Sequence, residues 1–285
     1  MRPLKGTSMI EWIRGVLAYD FMRNALLAAV LVSLTCGTIG TLVVLNRIVM
    51  VSGGIAHAAY GGVGLAYFFG FDPVLGAIGF GLVSSLAMGL TQRKLHERAD
   101  TIIGVLWAIG MAIGIIFVSL SPGYKADLMS YLFGSILAVS VLDLGLMLAV
   151  AVLAILFIWL FYRPLQAISF DETFAAVRNL PVTGLYLAMI VVVGLAVVIS
   201  MRVVGLILVI AFLTIPAAIA NMFSRRIWEI MLLAVGMGLA FSVTGLLLSY
   251  SLNLPAGAVI ILIMGLAYLL ASLVKSVNSS RNNIK

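Results

Sequence analysis

The sequence has very little charge. Only 9% of its 285 residues are Asp, Glu, Lys or Arg, whereas 64% are hydrophobic. A soluble domain carries about 25% charged residues, so this composition excludes an ordinary water-soluble domain. The apolar residues come in long blocks, each close to the ~20 residues that a helix needs to cross the hydrocarbon core of a bilayer.

Cysteine and the common catalytic motifs are also scarce. A single cysteine, Cys36, excludes an intrachain disulfide and a cysteine-based metal cluster. The motifs HExxH, GxSxG and the Walker A lysine loop are absent from the sequence. We therefore do not expect an enzyme, and any ATPase that drives transport would be a separate chain. The net charge of +7 is not read as a nucleic-acid footprint, because basic loops of a membrane protein mainly report orientation.

The apolar blocks predict an all-α fold, a polytopic transmembrane helical bundle with eight or nine spans. We predict one transmembrane domain over residues 1–285, with an interfacial N-terminal segment (1–24) and a cytoplasmic tail (275–285). Eight spans are the alternative to nine, because the second is rich in glycine and the sixth and seventh are separated only by SMRVV. The nine predicted spans are residues 25–45, 53–70, 74–92, 102–120, 142–162, 183–200, 203–222, 228–250 and 256–274.

The distribution of basic residues predicts the orientation. Nine spans place the two termini on opposite sides of the membrane. With the N-terminus outside, the clusters TQRKLHER, SRRIW and the C-terminal tail all lie inside. The positive-inside rule therefore favours a cytoplasmic C-terminus, although the basic N-terminal segment argues for the opposite orientation.

The longest polar interruption covers residues 161–184 and falls on the cytoplasmic side. Within it, FDETFAAVRNLPV predicts a short helix with Asp171 and Glu172 in its first turn, where acidic groups suit the helix dipole. Phe174 and Val177 form an apolar pair three residues apart. This segment is either a surface helix between two spans or a docking element for a cytoplasmic partner.

Smaller features predict local structure. The apolar centre of residues 121–140 is too short to span, which favours a re-entrant or interfacial segment. Pro216 predicts a kink in the seventh span. Asp100 and Asp143 are interpreted as caps of the fourth and fifth spans.

One ionisable residue, His57, lies inside the second span, in the stretch MVSGGIAHAAYGGVGLAYFFG. Ionisable groups within spans are costly and indicate function by default. Gly53, His57, Gly61 and Gly64 share one helix face, so a second helix could press against it, or it could border a cavity. Neutral imidazole is a common ligand for zinc and other transition metals. The alternative for a lone histidine is a single hydrogen bond across a helix interface.

Five segments, in order, resemble the ABC-3 family, the membrane permeases of zinc, manganese and iron ABC importers. They cover nearly the whole chain. The segments are LTCGTIGTLVVLNRIVMVSGGIAHAAYGGVGLAYFFG, ADTIIGVLWAIGMAIGIIFVSL, ADLMSYLFGSILAVS, FDETFAAVRNLPV and VVGLILVIAFLTIPAAIANMFSRR.

The resemblance implies a BtuC-like ABC importer permease in the plasma (inner) membrane of a prokaryote. Two permease copies would pair around a central path, two cytoplasmic ABC ATPase subunits would dock on the coupling helices, and an extracytoplasmic solute-binding protein would deliver the metal. The transported divalent cation would be cargo, with no permanently bound cofactor. In such permeases a histidine on the second span lines the metal path, and it corresponds to His57. The coupling residues would be Phe170, Asp171, Glu172, Phe174, Val177 and Leu180.

The chain departs from the family pattern beside this histidine. The aspartate that usually precedes it by four residues is replaced by Gly53, and Asn179 stands where the coupling segment usually has glycine. Loss of the carboxylate removes a hard oxygen ligand, which favours borderline metals such as zinc over manganese. Ser52, Tyr60 and Asp127 are speculative substitutes, and two paired copies would bring two copies of His57 towards one axis.

Two alternative functions follow from these departures. The chain could be a permease of the same importer class that moves a metal chelate or another small solute. It could also be a secondary carrier without an ATPase, although the spans hold few acids for a proton or sodium relay.

Overall fold

The computed structural model describes residues 19–95, 99–122, 134 and 136–282, with side chains described as far as residue 277. Nine helices of the described residues are long and apolar enough to cross a membrane, which confirms the nine-span count. A tenth, α6, is short. In chain order the helices are α1 (Asp20–Leu45), α2 (Val49–Phe69), α3 (Pro73–Lys94), α4 (Ala99–Leu120), α5 (Val141–Phe170), α6 (Glu172–Val177), α7 (Val182–Val204), α8 (Leu206–Phe223), α9 (Ile227–Leu252) and α10 (Ala256–Asn282).

The helices form one bundle in which α1, α2 and α7 are the most enclosed spans. Helix α2 packs mainly against α3 and α4, whereas α1 packs against α5, α8 and α9. Helices α4 and α10 are the least buried spans and present apolar side chains outwards. The buried core is therefore built around α2, the helix that carries His57.

Glycine brings α2 close to both of its neighbours. The backbones of Gly62 and Gly76 touch, as do those of Gly64 and Gly114, so that at these two points no side chain fits between α2 and its neighbours. Helix association in lipid relies on such small residues, because it lacks the hydrophobic driving force present in water. By contrast, a Cβ atom added at Gly236 of α9 would meet nothing within 4 Å.

The boundary between the sixth and seventh predicted spans is wrong in the sequence analysis. SMRVV forms the last turn of α7, and the chain reverses at the single residue Gly205, with φ of 86°. Only glycine adopts this conformation without strain. The turn is packed against the backbone of Gly134, which also has a positive φ.

Two helices contain a proline in their interior. Helix α5 continues to Phe170, eight residues beyond the predicted end of the fifth span, with non-helical backbone at Phe161. That break lies three residues before Pro164, whose ring clashes with the preceding helical turn and whose nitrogen cannot donate a hydrogen bond. Conversely, α8 continues through Pro216 from Leu206 to Phe223.

The observed helix ends differ from several of the predicted caps and segment boundaries. Ser140 caps α5 and accepts a hydrogen bond from the amide of Asp143, so Asp143 completes a capping box from the third position. Asp100 lies in the first turn of α4. Residues 275–282 of the predicted tail continue α10, and residues 20–24 of the predicted interfacial segment belong to α1. Most of the predicted re-entrant segment lies outside the described residues, apart from a 3-10 turn at Ile136–Ala138.

Candidate metal path and coupling surface

His57 lies in the middle of α2, at the edge where α2 meets α4. Its neighbours along α2 are buried, whereas the imidazole is half-buried. Gly61 and Gly64 of the predicted glycine face are pressed against the backbone of α4 at Gly110 and Gly114. The first of the two predicted arrangements, a second helix against this face, is therefore the one observed.

The imidazole contacts two side chains of α4. Its Nδ1 lies 3.2 Å from Sδ of Met111. Its ring stacks on the indole of Trp107, with the ring centroids 4.0 Å apart and the planes 19° from parallel. The indole Nε1–H donates to the same sulfur at 3.4 Å. These three side chains form a cluster, which we call the His57 cluster.

Gly53, one turn before His57, has room for a side chain. A Cβ atom added there would meet only Cδ1 of Ile210, at 3.8 Å, which is an ordinary van der Waals contact. By contrast, a Cβ added at the adjacent Gly54 would lie 2.8 Å from Cγ2 of Ile103 and 2.9 Å from Sδ of Met88. Of these two neighbouring positions, Gly53, where the family usually has the aspartate, is therefore the one with room for a side chain.

The speculative substitutes for that carboxylate are differently placed. The hydroxyl of Ser52 donates to the carbonyl of Val49 in its own helix at 2.8 Å. Tyr60 is buried against Gly114 of α4. Asp127 lies outside the described residues. Across the parts of the chain that the structure describes, no three residues among His, Cys, Asp and Glu come together as a metal-binding group.

The short helix predicted within residues 161–184 is α6. Asp171 is its N-cap, and its Oδ1 accepts a hydrogen bond from the amide of Phe174 at 2.9 Å. The helix is anchored by Ala175, which is fully buried against Ile168, Val182 and Leu185. The interruption is therefore shorter than predicted, because residues 161–170 belong to α5.

The side chains predicted to couple to an ATPase divide into two groups. Phe170, Phe174 and Val177 are 62%, 51% and 77% exposed and form an apolar surface that we call the α6 surface. The guanidinium of Arg178 lies over the ring of Phe174, 5.2 Å from its centroid. Leu180 instead packs on the bundle with Ala175.

Glu172 connects α6 to the end of α3. Its Oε1 accepts from Nη2 of Arg93 at 2.7 Å, and the Arg93 guanidinium also lies 5.2 Å from the ring centroid of Tyr186. A polar cavity of about 220 Å³ lies beside this pair, lined also by Asn46 and Ser169, which are joined by a 2.9 Å hydrogen bond. The ends of α1, α3 and α5 therefore meet α6 at one end of the bundle.

The sequence alone does not single out Trp107, Met111 or Arg93. Apolar residues on a span are ordinary, and Arg93 belongs to the basic cluster TQRKLHER, which predicts orientation. Trp107 and Met111 are four residues apart and so share a face of α4. That spacing alone could not show that the face meets His57, because the contact depends on how α2 packs against α4.

The ABC 3 transport family matches residues 18–275. A membrane protein of Synechocystis sp. is 52% identical, over 94% of this chain and 95% of its own length. The manganese import system permease protein ScaB of Streptococcus parasanguinis is 33% identical, over 92% of this chain and 93% of its own.

A solved structure agrees with these relatives in fold. PsaBC from Streptococcus pneumoniae in complex with Fab has a TM-score of 0.82 and 32% identity, covering 93% of this chain and 95% of that chain. The all-α, nine-span architecture and the ordered segments point to the same family. The chain belongs to the ABC 3 transport family.

Proposed function

We propose that this chain is the permease subunit of an ATP-binding-cassette importer for divalent transition metal ions. The observation that carries the proposal is the half-buried His57 inside α2, in a family whose relative ScaB is named for manganese import. Neutral imidazole binds transition metals, and ionisable residues within spans mark substrate pathways. The metal is cargo that binds at His57 in passing.

Two metals are candidates, each favoured by a different observation. Zinc is favoured by the chemistry of the site, because a neutral imidazole with glycine in place of the nearby aspartate offers a borderline nitrogen donor and no carboxylate oxygen. Manganese is favoured by the names of relatives such as ScaB. Manganese prefers carboxylate and carbonyl oxygen, so we place zinc first.

We infer the positions of the other importer subunits from the half-buried edge beside the His57 cluster and from the exposed α6 surface. A second permease copy would cover the half-buried edge of α2 and α4 and bring a second His57 to the path. An ATPase subunit would dock on the α6 surface, which lies outside the spans and exposes apolar side chains. A solute-binding protein would deliver the metal at the opposite end of the bundle.

Uptake by cells that depend on this chain tests the proposal. Radiolabelled zinc and manganese are supplied to cells expressing the wild type, His57→Ala or His96→Ala at matched levels in the membrane. His96, the only other histidine of the chain, is the control. We expect uptake to fall to background in His57→Ala and to remain in His96→Ala.

Three results would contradict the proposal. Uptake that is unchanged in His57→Ala would remove His57 from the metal path. Uptake that is competed by a metal chelate but not by the free ion would instead assign the chain to chelate import. A preparation that transports without any co-purified ATPase subunit would indicate a secondary carrier.

A further inference from the structure

The His57 cluster determines which ring nitrogen of the histidine carries the hydrogen. Nδ1 of His57 lies 3.2 Å from Sδ of Met111, within the 4.0 Å expected for a hydrogen bond to sulfur. A thioether has no hydrogen to donate and acts only as a weak acceptor. The contact is therefore a hydrogen bond only if the hydrogen lies on Nδ1.

That assignment also fixes the state of the second ring nitrogen, Nε2. A neutral imidazole carries one hydrogen, so a donor at Nδ1 leaves Nε2 with a free lone pair. The nitrogen that binds a metal is set by the hydrogen bond that the other nitrogen makes. With Nδ1–H directed at sulfur, Nε2 is the atom available to a passing cation.

Trp107 holds both partners of this hydrogen bond. Its indole stacks on the imidazole at 4.0 Å between centroids and so limits rotation of the histidine ring. Its Nε1–H donates to Sδ of Met111 at 3.4 Å and so holds the sulfur in place. All three side chains lie on α2 and α4, whose backbones are in contact at Gly64 and Gly114. The geometry is thus built on rigid elements.

We propose that Met111 is a positioning residue for metal transport: it holds the hydrogen of His57 on Nδ1 and thereby presents Nε2 as the metal ligand. The inference rests on the proposed function and deepens it. Metal-binding histidines usually donate this hydrogen to a carboxylate, a backbone carbonyl or water, which raises the basicity of the ligand. A thioether accepts more weakly, so it orients the ring while raising the basicity less. Such a ligand suits an ion that must bind and leave.

The sulfur does not act as a second ligand in this arrangement. It already accepts a hydrogen bond from the indole of Trp107 and, with the hydrogen on Nδ1, a second from the imidazole of His57. Ligation by Nδ1 together with Sδ would require the hydrogen to move to Nε2. The two arrangements therefore place the hydrogen on different nitrogens, and they can be distinguished by spectroscopy.

Nitrogen NMR of histidine-labelled protein tests the inference without any transport measurement. In a His96→Gln background, His57 is the only histidine, so its two ring nitrogens give the only imidazole signals. We expect the Nδ1–H tautomer in the metal-free protein. Met111→Leu keeps the bulk but removes the acceptor, and it should produce a mixture of tautomers or the Nε2–H form. Met111→Gln restores an acceptor and should restore Nδ1–H.

Zinc titration of the same samples completes the test. The inference expects zinc to shift the Nε2 signal while the hydrogen remains on Nδ1, with weaker binding in Met111→Leu and recovery in Met111→Gln. An Nε2–H tautomer in the metal-free wild type, or no change of tautomer in Met111→Leu, would overturn it. Zinc bound at Nδ1 would also overturn it, in favour of joint ligation with the sulfur. If the tautomers behave as expected but His57→Ala cells still take up metal, the proposed function fails and the positioning contact stands.

Discussion

At the scale of single residues, the open space at Gly53 allows the missing carboxylate to be introduced and its effect on metal choice to be tested. An added Cβ meets only Ile210, at 3.8 Å. Gly53→Asp should place a carboxylate one helical turn from His57, on the same face. Because carboxylate oxygen suits manganese better than imidazole does, we expect the ratio of manganese to zinc uptake to rise, measured with both labelled metals in one assay.

Two variants control for side effects of this change. Gly53→Asn adds similar volume without the charge and should leave the ratio close to that of the wild type. Gly54→Asp would force a side chain against Ile103 and Met88 and should lower the amount of protein in the membrane. An unchanged ratio in Gly53→Asp, at normal expression, would show that the carboxylate position does not face the path.

Asn179 illustrates a departure from the family pattern that the backbone explains. The residue has φ of 55°, in the left-handed region that glycine and asparagine tolerate and that bulky residues avoid. We expect Asn179→Gly to be close to neutral. Asn179→Val should lose about 1–2 kcal/mol of stability, measured as a lower thermal unfolding midpoint in detergent. The control, Arg178→Val, changes an exposed neighbour with φ of −78°, and an equal loss there would contradict the explanation.

The candidate functional residues differ in how far the sequence alone could predict them. His57 and Asn179 stand out in the sequence, because one is ionisable within a span and the other departs from a family glycine. Met111 and Trp107 do not stand out, because apolar residues on a span are ordinary. Their role depends on a contact between residues 57 and 111, which arises only when α2 and α4 pack.

At the scale of helices, apolar length predicted the spans well and their ends less well. The end of α7 was misplaced because Arg202 looks like a loop residue. In the structure it is neutralised by Asp143 of α5, with Nε and Oδ1 2.9 Å apart. A partner 59 positions away in the sequence leaves no local signal. Similarly, α5 passes through Pro164 because the break is absorbed at Phe161.

The exposed apolar side of α6 is predicted to hold an ATPase subunit, and a charge placed there tests this. Phe174→Asp should leave the helix in place, because α6 is anchored by the buried Ala175, whereas Phe174 is exposed. A charge in an apolar docking surface should weaken the attachment of an ATPase subunit. We expect less co-purified ATPase and less metal uptake, with unchanged amounts of the permease in the membrane.

A neighbour on the same helix provides the control for this prediction. Ala176 is also exposed but lies two positions from Phe174, on the opposite side of α6, so Ala176→Asp should retain both the ATPase subunit and uptake. Val177→Asp should behave like Phe174→Asp, because Val177 is 77% exposed on the same surface. Full uptake in both Phe174→Asp and Val177→Asp would refute docking at α6.

At the scale of the whole molecule, the distribution of burial indicates where a second copy would pack. Helices α4 and α10 are the least buried spans. His57 is half-buried at the edge of α4, and polar side chains within a membrane almost always face protein or a water-filled cavity. The exposed face of α4 also carries the small residues Ala108 and Ala112, which permit close helix approach. A second copy packed on α4 would satisfy all three observations.

Cysteine cross-linking tests this arrangement, and the chain suits the method because Cys36, its single cysteine, is fully buried. In a Cys36→Ala background, Ala108→Cys and Ala112→Cys would each place a thiol on the outer face of α4. Because a residue near a two-fold axis meets its own copy, we expect at least one of them to form a disulfide-linked dimer in membranes. Val152→Cys, on an exposed face of α5, should remain monomeric. Cross-linking at Val152 with none on α4 would move the axis to α5 and leave His57 without a second copy beside it.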